Sequence, residues 1–343
     1  MRVVIAEDSP TVRQLLIEVL RSDPAITVIG EATNGLEAVE LAARLKPDLI
    51  AMDIHMPQMD GLEATREIMT RTPTPIVLVT SSASRADNWL SFDALRAGAL
   101  AVVSKPDNPE SARFTGRSEQ LLRTLKAMAD VKVVRRWAER PAAVRGQWTP
   151  PATRITPRIV AMAASTGGPA ALHRILSALP ANFGVPVLIV QHIATGFVDA
   201  LADWLGGASR LKVRVAHNGE ALTPGTVYIA PDDHHLGVSA GLTALSDAPP
   251  IGGHRPSATH LFDSVAKSFG AASIALILTG MGKDGVAGLG AVREAGGQVI
   301  AQDEKSSVVF GMPGEAAAAG VTSEVLSLDD IATRLMTLAG WRA

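Results

Sequence analysis

The sequence contains no cysteine. This absence excludes disulfides, a thiolate nucleophile and Cys-ligated zinc, and it favours a reducing compartment. No apolar stretch is long enough to cross a bilayer. The first residues, MRVVIAEDSP, reach two acids after one short apolar run, which is unlike a signal peptide. We therefore expect a cytoplasmic protein that does not insert into the membrane.

The chain also lacks an excess of either charge. Its 32 basic and 34 acidic residues give a net charge of −2, so the whole-chain balance does not predict nucleic acid as a partner. With 47% hydrophobic and 19% charged residues the composition is globular. A length of 343 residues is enough for two domains, each with its own core.

Residues 1–106 alternate short apolar runs with amphipathic stretches at helical spacing. Five such repeats predict an N-terminal (βα)5 domain with a doubly wound parallel sheet. Functional groups gather at the carboxyl ends of strands in these sheets. The apolar runs are VVIA (3–6), ITVIG (26–30), DLIAMD (48–53), PIVLVT (75–80) and ALAVVSKP (99–106).

Residues 107–157 differ in composition from both flanks. They contain a predicted helix at 119–134, which would extend the first domain, and then a basic, proline-rich, non-periodic segment typical of a linker. Trp137 and Trp148 lie in that segment.

Residues 158–343 form a second predicted α/β domain. Its strands are predicted at RIVAMAAS, VPVLIVQH, LKVRVA, GTVYIA, SIALILTG and QVIAQD, and LDDIATRLMTLAG predicts a last helix. An antiparallel addition to this parallel sheet is expected where GTVYIA and the run LGVSAGLTAL lie close together.

Polar residues follow four strands of the first domain. Glu7 and Asp8 follow the first strand, Asp53 the third, Thr80 ends the fourth and Lys105 follows the fifth. Three carboxylates at one sheet edge suit magnesium, while the lysine and the hydroxyl suit phosphoryl oxygens. Each acid taken alone is explained as readily by a strand end or a helix cap.

The motifs AEDS (6–9), MDIHMPQMDG (52–61), VTS (79–81) and SKP (104–106) resemble those of response-regulator receiver domains. The resemblance implies that a sensor histidine kinase phosphorylates Asp53 and that Thr80 and Lys105 contact the phosphoryl group. It also implies Mg²⁺ held by Glu7, Asp8, Asp53 and the backbone carbonyl of His55. Val102 stands where receivers often carry an aromatic residue.

Ser165, His192 and Asp284 each follow an apolar strand of the second domain. Singly, they are explained by a helix cap or phosphate loop, a structural histidine and a helix cap. Together at one sheet edge, His192 would deprotonate Ser165 while Asp284 fixes the histidine tautomer. Their order along the chain differs from that of the α/β-hydrolases, and G-x-S-x-G is absent.

A dinucleotide site is the rival interpretation of the second domain. Residues 280–285, GMGKDG, satisfy G-x-G-x-x-G after a predicted strand, and Asp303 lies near the spacing of a ribose-binding acid. Against it, Asp284 would approach the pyrophosphate, and Ser165 and His192 would be left unexplained. We therefore favour hydrolysis.

Residues 158–320 resemble the catalytic domain of the chemotaxis protein-glutamate methylesterases, through AASTGGPAAL, VLIVQHI, VYIAPDDHHL, ILTGMGKDG and AQDEKSSVVFGMPGEA. The resemblance implies Ser165 as nucleophile, His192 as base and acid, Asp284 as its orienting partner, and the Met281 N–H as oxyanion donor. It implies glutamyl methyl esters on the cytoplasmic helices of chemoreceptors as substrate, glutamine deamidation as a related activity, and no cofactor at the hydrolase site. Weak substrate contacts are expected from Thr166, His254 and Arg255.

Gly314 stands where members of that family commonly carry a basic residue. With both resemblances, the chain is predicted to be a hydrolase that its receiver restrains until Asp53 is phosphorylated. The alternative is a signalling or phosphate-sink protein whose hydrolase fold only binds a receptor or kinase.

Overall fold

The computed structural model describes residues 1–80, 85–112, 114–129, 131 and 156–340. Its contacts divide the chain into two compact units, Met1–Ser81 with Ala97–Ile155 and Ser82–Arg96 with Thr156–Ala343. The predicted linker beyond residue 131, with Trp137 and Trp148, lies outside the described residues. Among those residues, no helix combines the length and apolarity needed to span a bilayer.

The first unit contains a five-stranded parallel sheet in the order β2-β1-β3-β4-β5. Its order and its alternation with helices confirm the predicted doubly wound fold. The strands are β1 (Arg2–Ala6), β2 (Thr27–Ala32), β3 (Leu49–Met52), β4 (Ile76–Thr80) and β5 (Ala101–Ser104). The helices are α1 (Pro10–Arg21), α2 (Gly35–Leu45), α3 (Gly61–Arg71), α4 (Arg85–Ala97), most of which groups with the second unit, and α5 (Phe114–Ala129).

Helix α5 is the element predicted at 119–134, and it begins earlier, at Phe114. Its apolar stripe of Leu121, Leu125 and Met128 is fully buried. The helical spacing of these side chains places them on one face, which is why the segment folds against the sheet of the first unit.

The second unit contains a seven-stranded sheet, parallel throughout, in the order β14-β13-β12-β6-β7-β9-β8. All six predicted strands are present, together with the short, half-exposed β14, which has no apolar run to indicate it. The strands are β6 (Ile159–Ala164), β7 (Val187–Gln191), β8 (Lys212–Val215), β9 (Thr226–Ile229), β12 (Ser273–Ile277), β13 (Gln298–Gln302) and β14 (Glu324–Leu326). The helices are α6 (Gly168–Ala178), α7 (Val198–Ala208), α8 (Ala258–Phe269), α9 (Val286–Glu294), α10 (Met312–Ala318) and α11 (Leu328–Leu338).

The antiparallel addition exists, but its partners differ from those predicted. The pair is β10 (His235–Ser239) with β11 (Leu242–Ser246), both inside the run LGVSAGLTAL and its flanks. Ala240 and Gly241 join them with φ of 50° and 80°, the left-handed geometry of a two-residue hairpin turn. The run GTVYIA instead forms β9, which is buried along its whole length and pairs in parallel with β7 and β8, as a central strand requires.

Strand β6 lies between β12 and β7 in this sheet. Because the three strands are parallel, the residues that follow them meet at one edge. This arrangement brings the predicted catalytic residues of three distant sequence segments into one site.

Candidate functional site

The first unit has a cluster of three carboxylates at the carboxyl edge of its sheet. One oxygen each of Glu7, Asp8 and Asp53 lies within 4.8 Å of the other two. Strands β1 and β3 are neighbours, which brings these side chains together. Glu7 and Asp53 are buried and Asp8 is exposed, so the cluster is open on one side. Such a set of hard oxygen donors fits a divalent cation such as Mg²⁺.

Lys105 reaches this cluster from β5. Its Nζ lies 2.8 Å from Glu7 Oε2 and 2.8 Å from Asp53 Oδ2. Burial raises the pKa of the Glu7 carboxyl, more than its contact with Lys105 lowers it. Burial also acts to lower the pKa of Lys105, but hydrogen bonds to Asp53 and Glu7 outweigh it and raise that pKa, so the ammonium stays charged.

Thr80 and His55 complete the predicted residues of this site. Thr80 is buried at the end of β4, and its carbonyl accepts the Lys105 N–H at 3.0 Å, which ties the two strand ends together. His55 lies in the exposed turn after β3, two residues beyond Asp53. Its assignment as a carbonyl ligand stays a prediction.

In the second unit, Ser165 directly follows β6 in a tight turn that opens α6. The Ser165 N–H donates to Thr279 O at 3.0 Å, and its carbonyl accepts the Gly168 N–H at 2.8 Å. Gly167 has a φ of 76°, a left-handed conformation that favours glycine. The turn therefore holds Ser165 at the amino end of a helix.

His192 directly follows β7, and its N–H continues the sheet by donating to Ala164 O at 2.9 Å. The ring Nε2 lies 3.0 Å from Asp284 Oδ2. The other ring nitrogen, Nδ1, is buried with no hydrogen-bond partner among the described residues. A carboxylate at Nε2 fixes the proton there, so Nδ1 carries the lone pair of a base.

Several hydrogen-bond donors besides His192 hold the Asp284 carboxylate. Ser257 Oγ (2.8 Å), the Thr259 N–H (3.1 Å) and Thr259 Oγ1 (2.9 Å) donate to Oδ1, and the Ala258 N–H donates to Oδ2 at 2.7 Å. These donors belong to the amino end of α8, whose unpaired N–H groups and dipole favour an anion. The carboxylate is thus fixed in place and oriented toward His192.

The same contacts decide the charge of Asp284. Burial acts to raise the pKa of this carboxyl, but the hydrogen bonds from His192, the Ala258 N–H and Ser257 outweigh burial and hold its pKa far below the usual range. Asp284 therefore remains an anion at neutral pH and stabilises a positive charge on His192.

The peptide between Gly280 and Met281 has a fixed orientation. The Gly280 carbonyl accepts the N–H groups of Gly311 at 3.1 Å and Met312 at 2.8 Å. In a trans peptide the following N–H points the opposite way, so the Met281 N–H is directed away from these two donors. It has no protein acceptor among the described residues, as an oxyanion donor requires.

Gly280 also lies against the serine. A Cβ on Gly280 would be 2.7 Å from Ser165 Cβ and 2.6 Å from Met312 Sδ. Only glycine permits this approach, which places the start of the Met281 peptide beside the nucleophile.

The three predicted substrate-contact residues differ in their surroundings. The His254 ring stacks on that of His192, with centroids 4.2 Å apart. Arg255 donates from Nη1 to the carbonyls of Asp247 and Ala248, within its own loop. The Thr166 carbonyl accepts from Thr279 Oγ1 at 2.9 Å. Contact with substrate remains a prediction for all three.

The geometry disfavours the dinucleotide interpretation. Asp284, inside the glycine-rich turn, is an anion that caps α8, so a pyrophosphate on the same turn would meet a negative charge. The helix that follows this turn, α9, has Gly285 as its N-cap residue and no side-chain cap. Asp284 therefore caps α8 and does not cap α9. Asp303 accepts from the Ser306 N–H and hydroxyl within its own turn.

Sequence reasoning missed four side chains that hold the site: Ser257, Thr259, Thr279 and Gln191. Ser257 and Thr259 start an amphipathic helix, and their types are those of a helix N-terminus. That pattern predicts a cap, but it does not reveal that the capping carboxylate comes from Asp284, more than twenty positions further along the chain. Thr279 Oγ1 ties the Ser165 turn to the loop between β13 and α10 by donating to Thr166 O and accepting from the Val309 N–H.

Comparison with known proteins identifies two regions. Residues 3–113 match the response regulator receiver domain model, and residues 160–335 match the CheB methylesterase model. Protein-glutamate methylesterase/protein-glutamine glutaminase 4 of Myxococcus xanthus is 58% identical over 98% of this chain and 96% of its own length. Protein-glutamate methylesterase/protein-glutamine glutaminase 3 of Anaeromyxobacter dehalogenans is 50% identical over 98% of each chain. The crystal structure of the Thermotoga maritima CheB methylesterase catalytic domain, 41% identical, covers 54% of this chain and all of its own, with a TM-score of 0.52.

Proposed function

Because the chain belongs to the CheB methylesterase family, we propose that it hydrolyses glutamyl methyl esters on chemoreceptors and is activated by phosphorylation of Asp53. The observation that carries the hydrolase assignment is the oriented His192, with Nε2 3.0 Å from Asp284 and Nδ1 buried and unpartnered within the described ranges of the chain. A ring held in this way accepts a proton at Nδ1 and nowhere else. A receptor-binding protein without catalysis has no need of that arrangement.

In the proposed reaction, Ser165 Oγ attacks the ester carbonyl while His192 Nδ1 takes its proton. The carbonyl oxygen becomes an oxyanion, which accepts a hydrogen bond from the Met281 N–H. As the tetrahedral intermediate collapses, the ester C–O bond breaks and His192 returns its proton to the departing oxygen, releasing methanol. Asp284 stabilises the imidazolium throughout.

The glutamyl group is then bonded to Ser165. His192 Nδ1 deprotonates a water that attacks this acyl-enzyme; the bond to Ser165 Oγ breaks, the same proton returns to that oxygen, and the receptor side chain leaves as a glutamate carboxylate. A glutamine side chain follows the same course with ammonia as the leaving group. We therefore propose deamidation as a second activity of the same site.

In the receiver, Asp53 would take the phosphoryl group from a sensor histidine kinase. Glu7, Asp8, Asp53 and the His55 carbonyl would hold Mg²⁺, which supplies charge neutralisation for phosphoryl transfer. Lys105, 2.8 Å from Asp53 Oδ2, would pair with a phosphoryl oxygen, and Thr80 would donate its hydroxyl to another. We propose a receiver of residues 1–106 extended by α5, a linker after it, and a hydrolase of residues 158–343 acting in the cytoplasm.

The test is methanol release from membranes that contain methylated chemoreceptors. Wild type, Ser165→Ala and Asp53→Asn are compared with and without Mg²⁺ and a small-molecule phosphodonor. We expect release that requires Ser165, rises with phosphodonor in wild type and does not rise in Asp53→Asn. Absence of Ser165-dependent release would refute the hydrolase, whereas stimulation that persists in Asp53→Asn would refute only its regulation.

A further inference from the structure

The side chain of Gln191, the last residue of β7, joins the predicted nucleophile to the predicted base. Its Nε2 donates to the Ser165 carbonyl at 2.8 Å and to the His192 carbonyl at 2.9 Å. Residues 164 and 191 are paired in the sheet, so Gln191 lies beside the point where both strands end. Its side-chain amide therefore links the first residues after the two strands, Ser165 and His192.

The orientation of this amide is fixed by its partners. Two carbonyl oxygens face Nε2, and exchanging the amide nitrogen and oxygen would place three oxygens together. A Cβ on Gly168 would lie 2.1 Å from Gln191 Oε1, so the first residue of α6 leaves room for the amide only as glycine. The Ser165 carbonyl thus accepts from both the Gln191 amide and the Gly168 N–H.

Gln191 Oε1 is the feature that stability alone does not explain. The residue is 4% exposed, and Oε1 is buried without a hydrogen-bond partner among the described residues. An unsatisfied buried oxygen destabilises a fold, and an apolar side chain of the same shape avoids that cost. A residue that breaks this rule beside reacting groups points to a role in the reaction.

Ser165 and His192 need such a clamp because their side chains are not bonded to each other. His192 Nδ1, the nitrogen that would accept the proton, has no hydrogen-bond partner in the part of the chain that the structure describes, so no Ser165–His192 bond sets their separation. The separation is set by the backbone, through the His192 N–H bond to Ala164 O and the two bonds of Gln191. Small errors in such a separation are costly to catalysis.

From these contacts we propose that Gln191 is a positioning residue, which holds the Ser165 turn and the His192 backbone at the distance that proton transfer requires. The proposal rests on the proposed hydrolase function. It adds a requirement for an amide donor at a position outside the triad and the oxyanion peptide.

The test uses the full-length protein and two isosteric variants, Gln191→Met, which lacks the donor, and Gln191→Glu. Two readouts are the rate of methanol release from methylated receptor membranes and the rate at which a fluorophosphonate labels Ser165. We expect Gln191→Met to lower kcat and the labelling rate by about tenfold to a hundredfold, with KM changed by less than about threefold. Ser273→Ala is the matched control. It removes the hydrogen bond from Ser273 Oγ to the Gly270 carbonyl at the start of β12, at the opposite edge of the sheet, and should stay near wild type.

Gln191→Glu separates positioning from simple support of the fold. Its carboxylate would face the Ser165 and His192 carbonyls and repel them, whereas the protonated acid regains one donor. The ratio of its labelling rate to that of wild type should therefore rise as the pH falls from 8 to 6. A ratio that does not change with pH, or a Gln191→Met variant within threefold of wild type, would overturn the proposal. A wild type without Ser165-dependent labelling or release would instead refute the hydrolase function itself.

Discussion

The imidazole rings of His192 and His254 lie face to face, with centroids 4.2 Å apart and planes inclined by only 7°. This stack covers one face of the ring whose Nε2 is bonded to Asp284. A covered face restricts rotation of the ring about its Cβ–Cγ bond. His254 therefore supports the base, in addition to being a predicted substrate contact.

We expect His254→Ala to lower kcat by about threefold to tenfold, because the His192 ring gains freedom to rotate. His254→Phe keeps an aromatic face and should recover most of the rate. Steady-state hydrolysis of methylated receptor separates this role from substrate contact. A rise in KM with kcat unchanged in both variants would show that His254 binds substrate and does not support the ring.

Gly280 offers a steric test of the nucleophile's position. In Gly280→Ala the new methyl group would lie 2.7 Å from Ser165 Cβ and 3.0 Å from the Ser165 nitrogen, so the turn must shift. We expect hydrolysis to fall by about a hundredfold or more, since displacements near 1 Å have effects of that order. The measurement is kcat for methanol release together with fluorophosphonate labelling of Ser165.

Gly290→Ala is the matched control for that experiment. Gly290 lies inside α9, and the nearest described atom to a Cβ there is Val321 Cγ1, at the ordinary contact distance of 3.8 Å. Alanine in a helix is favoured over glycine by about 0.5–1 kcal/mol, so this variant should be active and no less stable than wild type. Full activity in Gly280→Ala would contradict the close packing described for the site.

Titration of Asp284 makes the stability of the second unit depend on pH in the acid range. Its pKa is held below that of an unfolded aspartate, so its stabilising contribution is fully present above about pH 4, the unfolded value, and is lost as the pH falls through the folded value. Asp284→Asn removes this titration. We expect the free energy of unfolding to fall less between pH 5 and pH 3 in the variant than in wild type, as measured by urea unfolding at each pH.

Asp329→Asn is the control for the acid experiment, because Asp329 forms an exposed ion pair with Arg174, a type of contact that contributes little. Its pH dependence should follow that of wild type. The same Asp284→Asn protein should hydrolyse ester about 10⁴-fold more slowly, as expected when the tautomer of the base is no longer fixed. Equal pH dependence in wild type and Asp284→Asn would contradict the assigned hydrogen bonds.

The lysine in the receiver competes with a cation for the same carboxylates. Lys105 Nζ lies 2.8 Å from both Glu7 and Asp53. We expect Lys105→Met to bind Mg²⁺ several-fold more tightly in a calorimetric titration, because the acids lose their compensating charge. Lys126→Met removes the same charge from an ion pair with Asp23 and should bind as wild type does. Unchanged or weaker binding in Lys105→Met would show that the lysine does not oppose the metal.

Much of the fold could be predicted because strands and helices differ in the spacing of their apolar residues. Strands β6, β7 and β12 are continuous apolar runs, as expected for strands buried on both faces. In the helices between them, apolar residues recur every three to four positions. The hairpin partners were predicted wrongly because β9 and the hairpin strands are all short and rich in apolar residues. Which of them joins the large sheet depends on burial across the whole unit.

The residues of the candidate site could also be predicted only in part. Ser165, His192, Asp284 and the receiver acids could be predicted from the sequence alone, since strand ends are visible in the pattern and parallel strands place those ends at one edge. The tertiary structure alone decided which donors surround Asp284, that Nδ1 of His192 has no partner among the residues the structure describes, and that Gln191 bridges the two strand ends. These contacts join segments tens of residues apart. Their geometry depends on how the segments pack, which the local spacing of apolar residues does not determine.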